Sequence, residues 1–191
     1  MRPREVRKWG VDLGNVIVKN VSHTARHILN AQLTGIDVPM LREGSPELVS
    51  LDHVLREWAK PVDDALAGVQ RLVQRVGADR VWIVSRCSGL ERGVNARILS
   101  IFDAYAVTGL LRDHVHFVDR RSEKAGVCAQ LGIDGHIDDR GEVLFAVKDV
   151  VPCLVWFNPT SADVSCWCAQ LPKETYTVYS WNELITRLDA E

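Results

Sequence analysis

The chain has 191 residues, of which 47% are hydrophobic and 25% charged, and its formal net charge is −2. This length is typical of one domain with a small insertion, and the hydrophobic share suits a folded protein with a sizeable core. The near-neutral charge argues against a nucleic-acid partner, because binding a polyanion requires clustered Lys and Arg. The composition therefore predicts a single folded domain and says nothing about its chemistry.

Two local features predict a cytoplasmic protein with no membrane partner. The five cysteines are odd in number and lie mostly in apolar stretches, which favours reduced thiols: Cys87, Cys128, Cys153, Cys166 and Cys168. The last two form a Cys-x-Cys pair, but the second spaced pair of a zinc site is missing. Asp12 interrupts the apolar run behind the basic N-terminus, so no secretory segment is expected. No uncharged stretch approaches the ~18 residues that a membrane-spanning helix needs.

Short β-type runs alternate with helical patterns along the chain. The predicted strands are, in order, a run at Val11 followed by the apolar 16–18, then 81–84, 115–118, 135–137 and 154–157. Apolar residues recur three and four residues apart in the segments 65–76, 94–102, 124–131 and 181–188. This alternation predicts an α/β fold, with a Rossmann-like, doubly wound parallel sheet.

Residues 20–60 do not fit the alternation. They contain several glycines and prolines with short amphipathic pieces on either side. We therefore interpret them as a small helical insertion over the sheet, and expect 1–19 and 61–191 to form the core.

Polar side chains follow the predicted strands at the edge where ligands bind in such sheets. Asp12, Ser85 and the pair Asp138 and Asp139 each follow an apolar run, and Lys124 begins a helix. Two or three carboxylates can hold Mg²⁺, with water completing an octahedron. The ammonium and hydroxyl groups could then neutralise phosphoryl oxygens, which leaves Asp12 free to attack phosphorus.

Four elements in this order resemble the haloacid dehalogenase (HAD) superfamily, most of whose members are Mg²⁺-dependent phosphatases. They are Val11-Asp12-Leu13-Gly14-Asn15-Val16, Val81-Trp82-Ile83-Val84-Ser85, Lys124, and His136-Ile137-Asp138-Asp139. The resemblance covers roughly residues 9–139. It implies a HAD-like core with 20–60 as the cap, and a phosphatase acting on a small phosphorylated metabolite such as a nucleotide or sugar phosphate. A cap this short would leave the site open unless a second copy covers it, so a homo-oligomer is possible.

The resemblance also implies a role for each matching residue. Asp12 would be the nucleophile that forms an aspartyl-phosphate, Lys124 would steady its charge, and Ser85 would bind the phosphoryl group. Mg²⁺ would be held by Asp12, the backbone carbonyl of Gly14, Asp138 and Asp139. Arg86, directly after Ser85, is a further candidate for substrate binding.

Gly14 departs from the family pattern. Phosphatases of this family usually carry a second Asp two residues after the nucleophile, and it protonates the leaving group and later activates water. Some phosphatase-like branches instead have Asp-Leu-Gly-Gly/Asn-Val, which this chain resembles. Glycine transfers no proton, and general acid–base catalysis is worth ~10²–10⁴-fold. A good leaving group, such as a sugar 1-phosphate or an acyl phosphate, would need the acid less. His23 or His27 of the insertion is a candidate substitute.

Two other functions stay open. One is a binding or regulatory module on a HAD-like scaffold, which the missing acid would explain. The other is a 2-haloacid dehalogenase, which uses the same Asp nucleophile on carbon without Mg²⁺; the retained Asp138 and Asp139 favour metal and phosphorus instead.

Each motif also has a structural explanation. Asp12 could be a turn residue, Ser85 an N-cap, and Lys124 part of a solvated helix face. His114 and His116 mimic a metal pair, but without a third ligand we expect edge-strand histidines.

Overall fold

The structure is a computed structural model that describes residues 1–19 and 41–190. Six strands form one sheet in the order β3-β2-β1-β4-β5-β6, and all neighbouring strands are parallel. They are β1 (Trp9–Val11), β2 (Val81–Arg86), β3 (Val115–Val118), β4 (Gly135–Asp138), β5 (Cys153–Phe157) and β6 (Tyr176–Val178). The α/β fold with a Rossmann-like parallel sheet is thereby confirmed.

Eight α-helices lie within the described residues. They are α1 (Pro46–Trp58), α2 (Ala65–Val76), α3 (Leu90–Ile101), α4 (Ala104–Thr108), α5 (Lys124–Leu131), α6 (Gly141–Val147), α7 (Ser161–Trp167) and α8 (Trp181–Asp189). Short 3₁₀ turns precede β2, β3 and α5, at Ala78–Arg80, Arg112–His114 and Arg121–Glu123. Side-chain caps fix several helix starts; the Ser180 hydroxyl, for example, accepts from the backbone N–H of Glu183 at the start of α8.

Successive side chains of a strand point to opposite sides of the sheet. Apolar side chains lie on both sides here, and helices cover both faces. Ile83 of β2 and Val155 of β5 face a large apolar cluster with α1, α2, α3 and α8. Their neighbours Val84 and Leu154 face a smaller cluster with α5 and α6. No helix among the described residues is long and apolar enough to cross a membrane.

The helices α2, α3, α5 and α8 coincide closely with the predicted segments. Three details differ. The strand Tyr176–Val178 has no counterpart among the predicted strands, and α4 and α7 have none among the predicted helices. The apolar run 16–18 lies in a turn instead of a strand. The turn forms because Asn15 adopts a left-handed conformation (φ 56°), and Val18 pairs only through single bridges to Gly14 and Pro61.

The segment 20–40 lies outside the described residues, so the division into core and cap stays a prediction. The described remainder of 20–60 contains α1, whose buried Leu48, Leu51 and Leu55 join the larger apolar cluster. On α3, Arg97 pairs with Asp52 of α1 at 2.6 Å. The second half of the predicted insertion is therefore packed against the core.

Candidate functional site

The predicted site residues meet at the carboxyl edge of the three central strands. Asp12 directly follows β1, Ser85 lies near the end of β2, and Asp138 ends β4. The strands β2 and β4 flank β1 on opposite sides, so the strand order reverses direction there. Open parallel sheets bind ligands at such a switch point. The four sequence elements are thus brought to one place by topology.

Lys124 is the buried centre of the site. Its Nζ lies 2.6 Å from Asp12 Oδ1 and 2.7 Å from Asp138 Oδ2, and its side chain is only 2% exposed. Burial lowers the pKa of this ammonium, but the two carboxylates outweigh that effect and raise it above its usual value. Lys124 therefore stays protonated and holds the two aspartates together.

Asp138 is the most firmly held carboxylate of the site. Besides Lys124, the ring Nε2 of His136 lies 3.2 Å from its Oδ2, and the backbone N–H of Arg140 donates to its Oδ1 at 3.0 Å. Burial alone would raise its pKa, but Lys124 and His136 lower it to about 2. The His136 pKa is correspondingly raised to about 9: burial lowers it, and contacts with Cys128 and Asp138 prevail.

Asp139 is oriented by contacts from three parts of the chain. The Asn15 amide donates to its Oδ2 at 2.9 Å, and the indole N–H of Trp156 on β5 donates to its backbone carbonyl at 3.2 Å. The Arg140 guanidinium is more distant, at 3.9 Å from Oδ2. Burial and the charge of Asp138 raise the Asp139 pKa to about 7. Among the described residues, the cation paired with this carboxylate is therefore the distant Arg140 guanidinium.

The three carboxylates fit a hard divalent cation. Asp12, Asp138 and Asp139 each offer an oxygen, and these oxygens lie within 4.8 Å of one another. Burial raises the pKa of Asp12 as well, Lys124 opposes this, and Asp138 adds to it. All three ligands are oxygen atoms, which Mg²⁺ prefers. Two of the three carboxyl pKa values are raised, and a bound Mg²⁺ would remove the mutual repulsion of the ionised groups.

A cleft of about 200 Å³ opens above these residues. Its floor is formed by Asp12, Ser85, Lys124 and the two aspartates that follow β4. One face of α3 forms a wall, with side chains spaced as on one helix side: Glu91, Val94, Asn95 and Ile98. The remaining lining residues are Leu13, Gly14, Val18, Lys19, Arg86, Arg121, Arg140 and Val143.

Most of the other candidates occupy definite places. Gly14 and Arg86 line the cleft, and Arg86 also pairs with Glu91 at 3.3 Å. His23 and His27 lie outside the described residues. The His114 ring stacks on Trp82 with centroids 3.5 Å apart, at the sheet edge and away from the carboxylates. All five cysteines are free, and Cys166 and Cys168 are exposed.

Sequence reasoning missed the residues that hold the carboxylates in place. Asn15 and His136 lay inside the quoted motifs but received no role, and Arg140 directly follows Asp139. Their proximity in sequence was a usable signal. The Trp156 contact had none, because it depends on the pairing of β4 with β5.

Solved structures share this fold over nearly the whole chain. A haloacid dehalogenase-like hydrolase from Burkholderia xenovorans LB400 has a TM-score of 0.57 and 15% identity, covering 93% of this chain and 94% of that chain. The D,D-heptose 1,7-bisphosphate phosphatase from B. bronchiseptica, complexed with magnesium and phosphate, has a TM-score of 0.55 and 18% identity, with 94% and 98% covered. A HAD family hydrolase from Deinococcus radiodurans R1, with bound phosphate and sodium, has a TM-score of 0.54 and 15% identity, with 93% of each chain covered.

The chain therefore has the fold of the haloacid dehalogenase-like hydrolases, as its four sequence elements predicted. No protein-family model and no curated protein matches the sequence. Since the identities are low, the likeness defines the fold, and the activity has to be argued from the site itself.

Proposed function

We propose that the protein is a Mg²⁺-dependent phosphohydrolase of the HAD type, acting on a small phosphorylated metabolite such as a nucleotide or a sugar phosphate. The observation that carries the proposal is the buried Lys124 between Asp12 and Asp138, next to Asp139 at the base of one cleft. Two of the similar solved structures hold phosphate, and one of these also holds magnesium.

Asp12 is the nucleophile in this mechanism. One of its carboxylate oxygens attacks phosphorus, the bond between phosphorus and the leaving oxygen breaks, and an aspartyl-phosphate forms. Lys124 at 2.6 Å keeps the Asp12 carboxylate oriented and stabilises the charge on the phosphoryl oxygens. Ser85, whose hydroxyl hydrogen-bonds Asp12, binds a phosphoryl oxygen when substrate is present. Arg86 on the rim contacts the substrate.

The metal would be held by Asp12, Asp138, Asp139 and the backbone carbonyl of Gly14. When bound, Mg²⁺ supplies positive charge that neutralises the phosphoryl group and orients it for in-line attack. Asn15 and Trp156 keep Asp139 directed toward this position through their hydrogen bonds. Such outer contacts determine ligand orientation as much as the ligands do.

The test is hydrolysis of p-nitrophenyl phosphate and of a panel of phosphorylated metabolites, with Mg²⁺ and with EDTA. Asp12→Asn keeps the shape of the side chain and removes the nucleophile, so we expect loss of at least about 10³-fold in kcat. Asp79→Asn is the matched control, because its side chain is 74% exposed and does not line the cleft. Turnover without metal, or an active Asp12→Asn variant, would contradict the mechanism.

Gly14 favours a second candidate, a HAD-like binding or regulatory module without turnover. Beryllium fluoride discriminates between the two, since a scaffold has no need to form the mimic of an aspartyl-phosphate. Robust hydrolysis of any physiological phosphate would exclude this candidate. A carbon-directed dehalogenase would instead release halide from 2-haloacids in EDTA. It would not use Asp12, Asp138 and Asp139 together as metal ligands.

We also keep 20–60 as the proposed cap over a core of 1–19 and 61–191. Its described part, α1, packs on α3, and α3 in turn forms a wall of the cleft. The free thiols of all five cysteines are consistent with a location in the cytoplasm.

A further inference from the structure

In the mechanism above, no described residue has the role of accepting the proton of the water that hydrolyses the aspartyl-phosphate. Once phosphorus is bonded to Asp12, a water molecule must attack it, and that water must lose a proton. Position 14, where the relevant carboxylate of the family stands, is a glycine that lines the cleft. Another side chain has to accept this proton if turnover is to be fast.

Among the described residues that line the cleft, the carboxylates are Asp12, Glu91, Asp138 and Asp139, and none is histidine. Asp12 carries the phosphoryl group at this stage. Asp138 is occupied by Lys124, His136 and the Arg140 amide. Asp139 belongs to the metal site. Glu91 is the carboxylate that remains.

We propose that Glu91 is the general base that activates the hydrolytic water; this inference rests on the phosphohydrolase function proposed above. Glu91 lies in the first turn of α3, which begins after the loop that follows β2 and its Ser85. Its side chain is 31% exposed and faces the same cleft as Asp12. It is therefore accessible to water within the cleft that Asp12 also lines.

Positive charge and backbone N–H groups lie close to the Glu91 carboxylate. Arg86 Nη1 lies 3.3 Å from its Oε2. The first turn of a helix also stabilises negative charge, because its backbone N–H groups point toward it. One turn further along the same face, the Asn95 amide donates a hydrogen bond to Cys87 Sγ at 3.0 Å, so a second polar side chain of this wall has a fixed position.

The step is balanced as follows. Water donates its proton to the Glu91 carboxylate while its oxygen bonds to phosphorus, and the bond between phosphorus and Asp12 breaks. Inorganic phosphate leaves, Asp12 regains its carboxylate, and Glu91 returns the proton to solvent. No described residue is given the role of acid in the first step, so in this proposal the leaving oxygen departs as an anion. The substrate class is accordingly a phosphate with a good leaving group: an anomeric, phenolic or acyl phosphate.

Rapid mixing of p-nitrophenyl phosphate with Glu91→Gln tests the proposal. We expect a burst of about one nitrophenolate per enzyme, followed by a steady state about 10²–10³-fold slower than wild type, with the phosphorylated protein accumulating. Glu142→Gln is the matched control: Glu142 also lies in a first helix turn and pairs with a cleft arginine, Arg121, at 3.2 Å, but it does not line the cleft. It should behave as wild type.

A second variant separates chemistry from structure. Glu91→Ala should regain at least tenfold of its steady-state rate in formate, which replaces the missing carboxylate; a purely structural role would not respond. Three results would overturn the proposal. The steady-state rate of Glu91→Gln could equal that of wild type, or its burst and steady state could be reduced equally. The burst could also occur in a His23 or His27 variant instead. If wild type hydrolyses phosphates and Asp12→Asn does not, such a result rejects Glu91 alone; an inactive wild type rejects the phosphohydrolase itself.

Discussion

Replacing Lys124 by methionine tests how the site is held together. The variant keeps the length of the side chain but leaves Asp12 and Asp138 buried without the ammonium that lies 2.6 and 2.7 Å from them. Removing one partner of a buried ion pair costs about 3–5 kcal/mol, because the other charge is left uncompensated. Domains of this size have a free energy of unfolding of about 5–15 kcal/mol, so we expect a folded but clearly weakened protein.

The pKa of Asp138 gives part of this magnitude. Burial would raise it, but Lys124 and His136 hold it at about 2, against 3.8 for a free aspartate. This lowered pKa corresponds to about 2 kcal/mol of stability at neutral pH, present above about pH 4 and lost as the pH falls through about 2. In the variant, burial is unopposed and raises the carboxyl pKa values. Their ionisation then destabilises the fold increasingly as pH rises, so the loss should be larger at pH 8 than at pH 5.

Urea unfolding followed by circular dichroism, in EDTA at pH 5 and pH 8, measures both quantities. Lys173→Met, at an exposed position, is the matched control, and Lys124→Arg should recover part of the loss by restoring the charge. The argument is refuted if Lys124→Met unfolds within 1 kcal/mol of wild type at pH 8, or if its loss is the same at both pH values.

Three further predictions follow from single contacts. Burial and the charge of Asp138 raise the Asp139 pKa to about 7, and Mg²⁺ binds the ionised carboxylate. The affinity for Mg²⁺ should therefore increase by up to tenfold for each unit that the pH rises below pH 7, and stay constant above it. A calorimetric Kd that does not change with pH would contradict this. Gly68→Ala should lose about 1–3 kcal/mol in urea unfolding, because its Cβ would clash with the Trp181 ring, whereas Gly126→Ala, with open space around its Cβ, should not. Trp156→Phe removes the hydrogen bond to the Asp139 carbonyl and should weaken Mg²⁺ binding at least tenfold by calorimetry; unchanged affinity would show that this contact is dispensable.

The sequence predicted the parts of the fold whose signals are local. The run 81–84 is apolar on both faces and forms β2, while the three-and-four spacing of 65–76 ends at Gly77, as α2 does. The strand Tyr176–Val178 was missed because it has only three residues, of which one is buried, and it is defined by its pairing with β5. The turn at 16–18 resembled a strand because its three residues are β-branched and apolar; in the structure they are buried in the larger apolar cluster without forming a strand.

The site divides in the same way. The sequence could predict that one site contains Asp12, Ser85, Lys124 and the two aspartates after β4, because parallel strands all present their carboxyl ends at one edge of the sheet. The residues that adjust them could not, since their contacts cross elements whose register is unknown beforehand. Glu91 is such a case: its place in the cleft depends on where α3 starts after β2.

The last described helix reaches back to the segment behind Asp12. The Trp181 indole donates to the backbone carbonyl of Val16 at 2.7 Å, across a sequence separation of 165 residues, and its ring lies directly above Gly68. During synthesis, Asp12 therefore leaves the ribosome long before Trp181, whose side chain anchors the turn that follows Asp12. A nascent chain that ends before residue 181 already carries all six strands, yet its Val16 carbonyl still lacks this partner. A truncation before residue 181, far from the cleft in sequence, therefore removes a contact to the turn that follows the nucleophile.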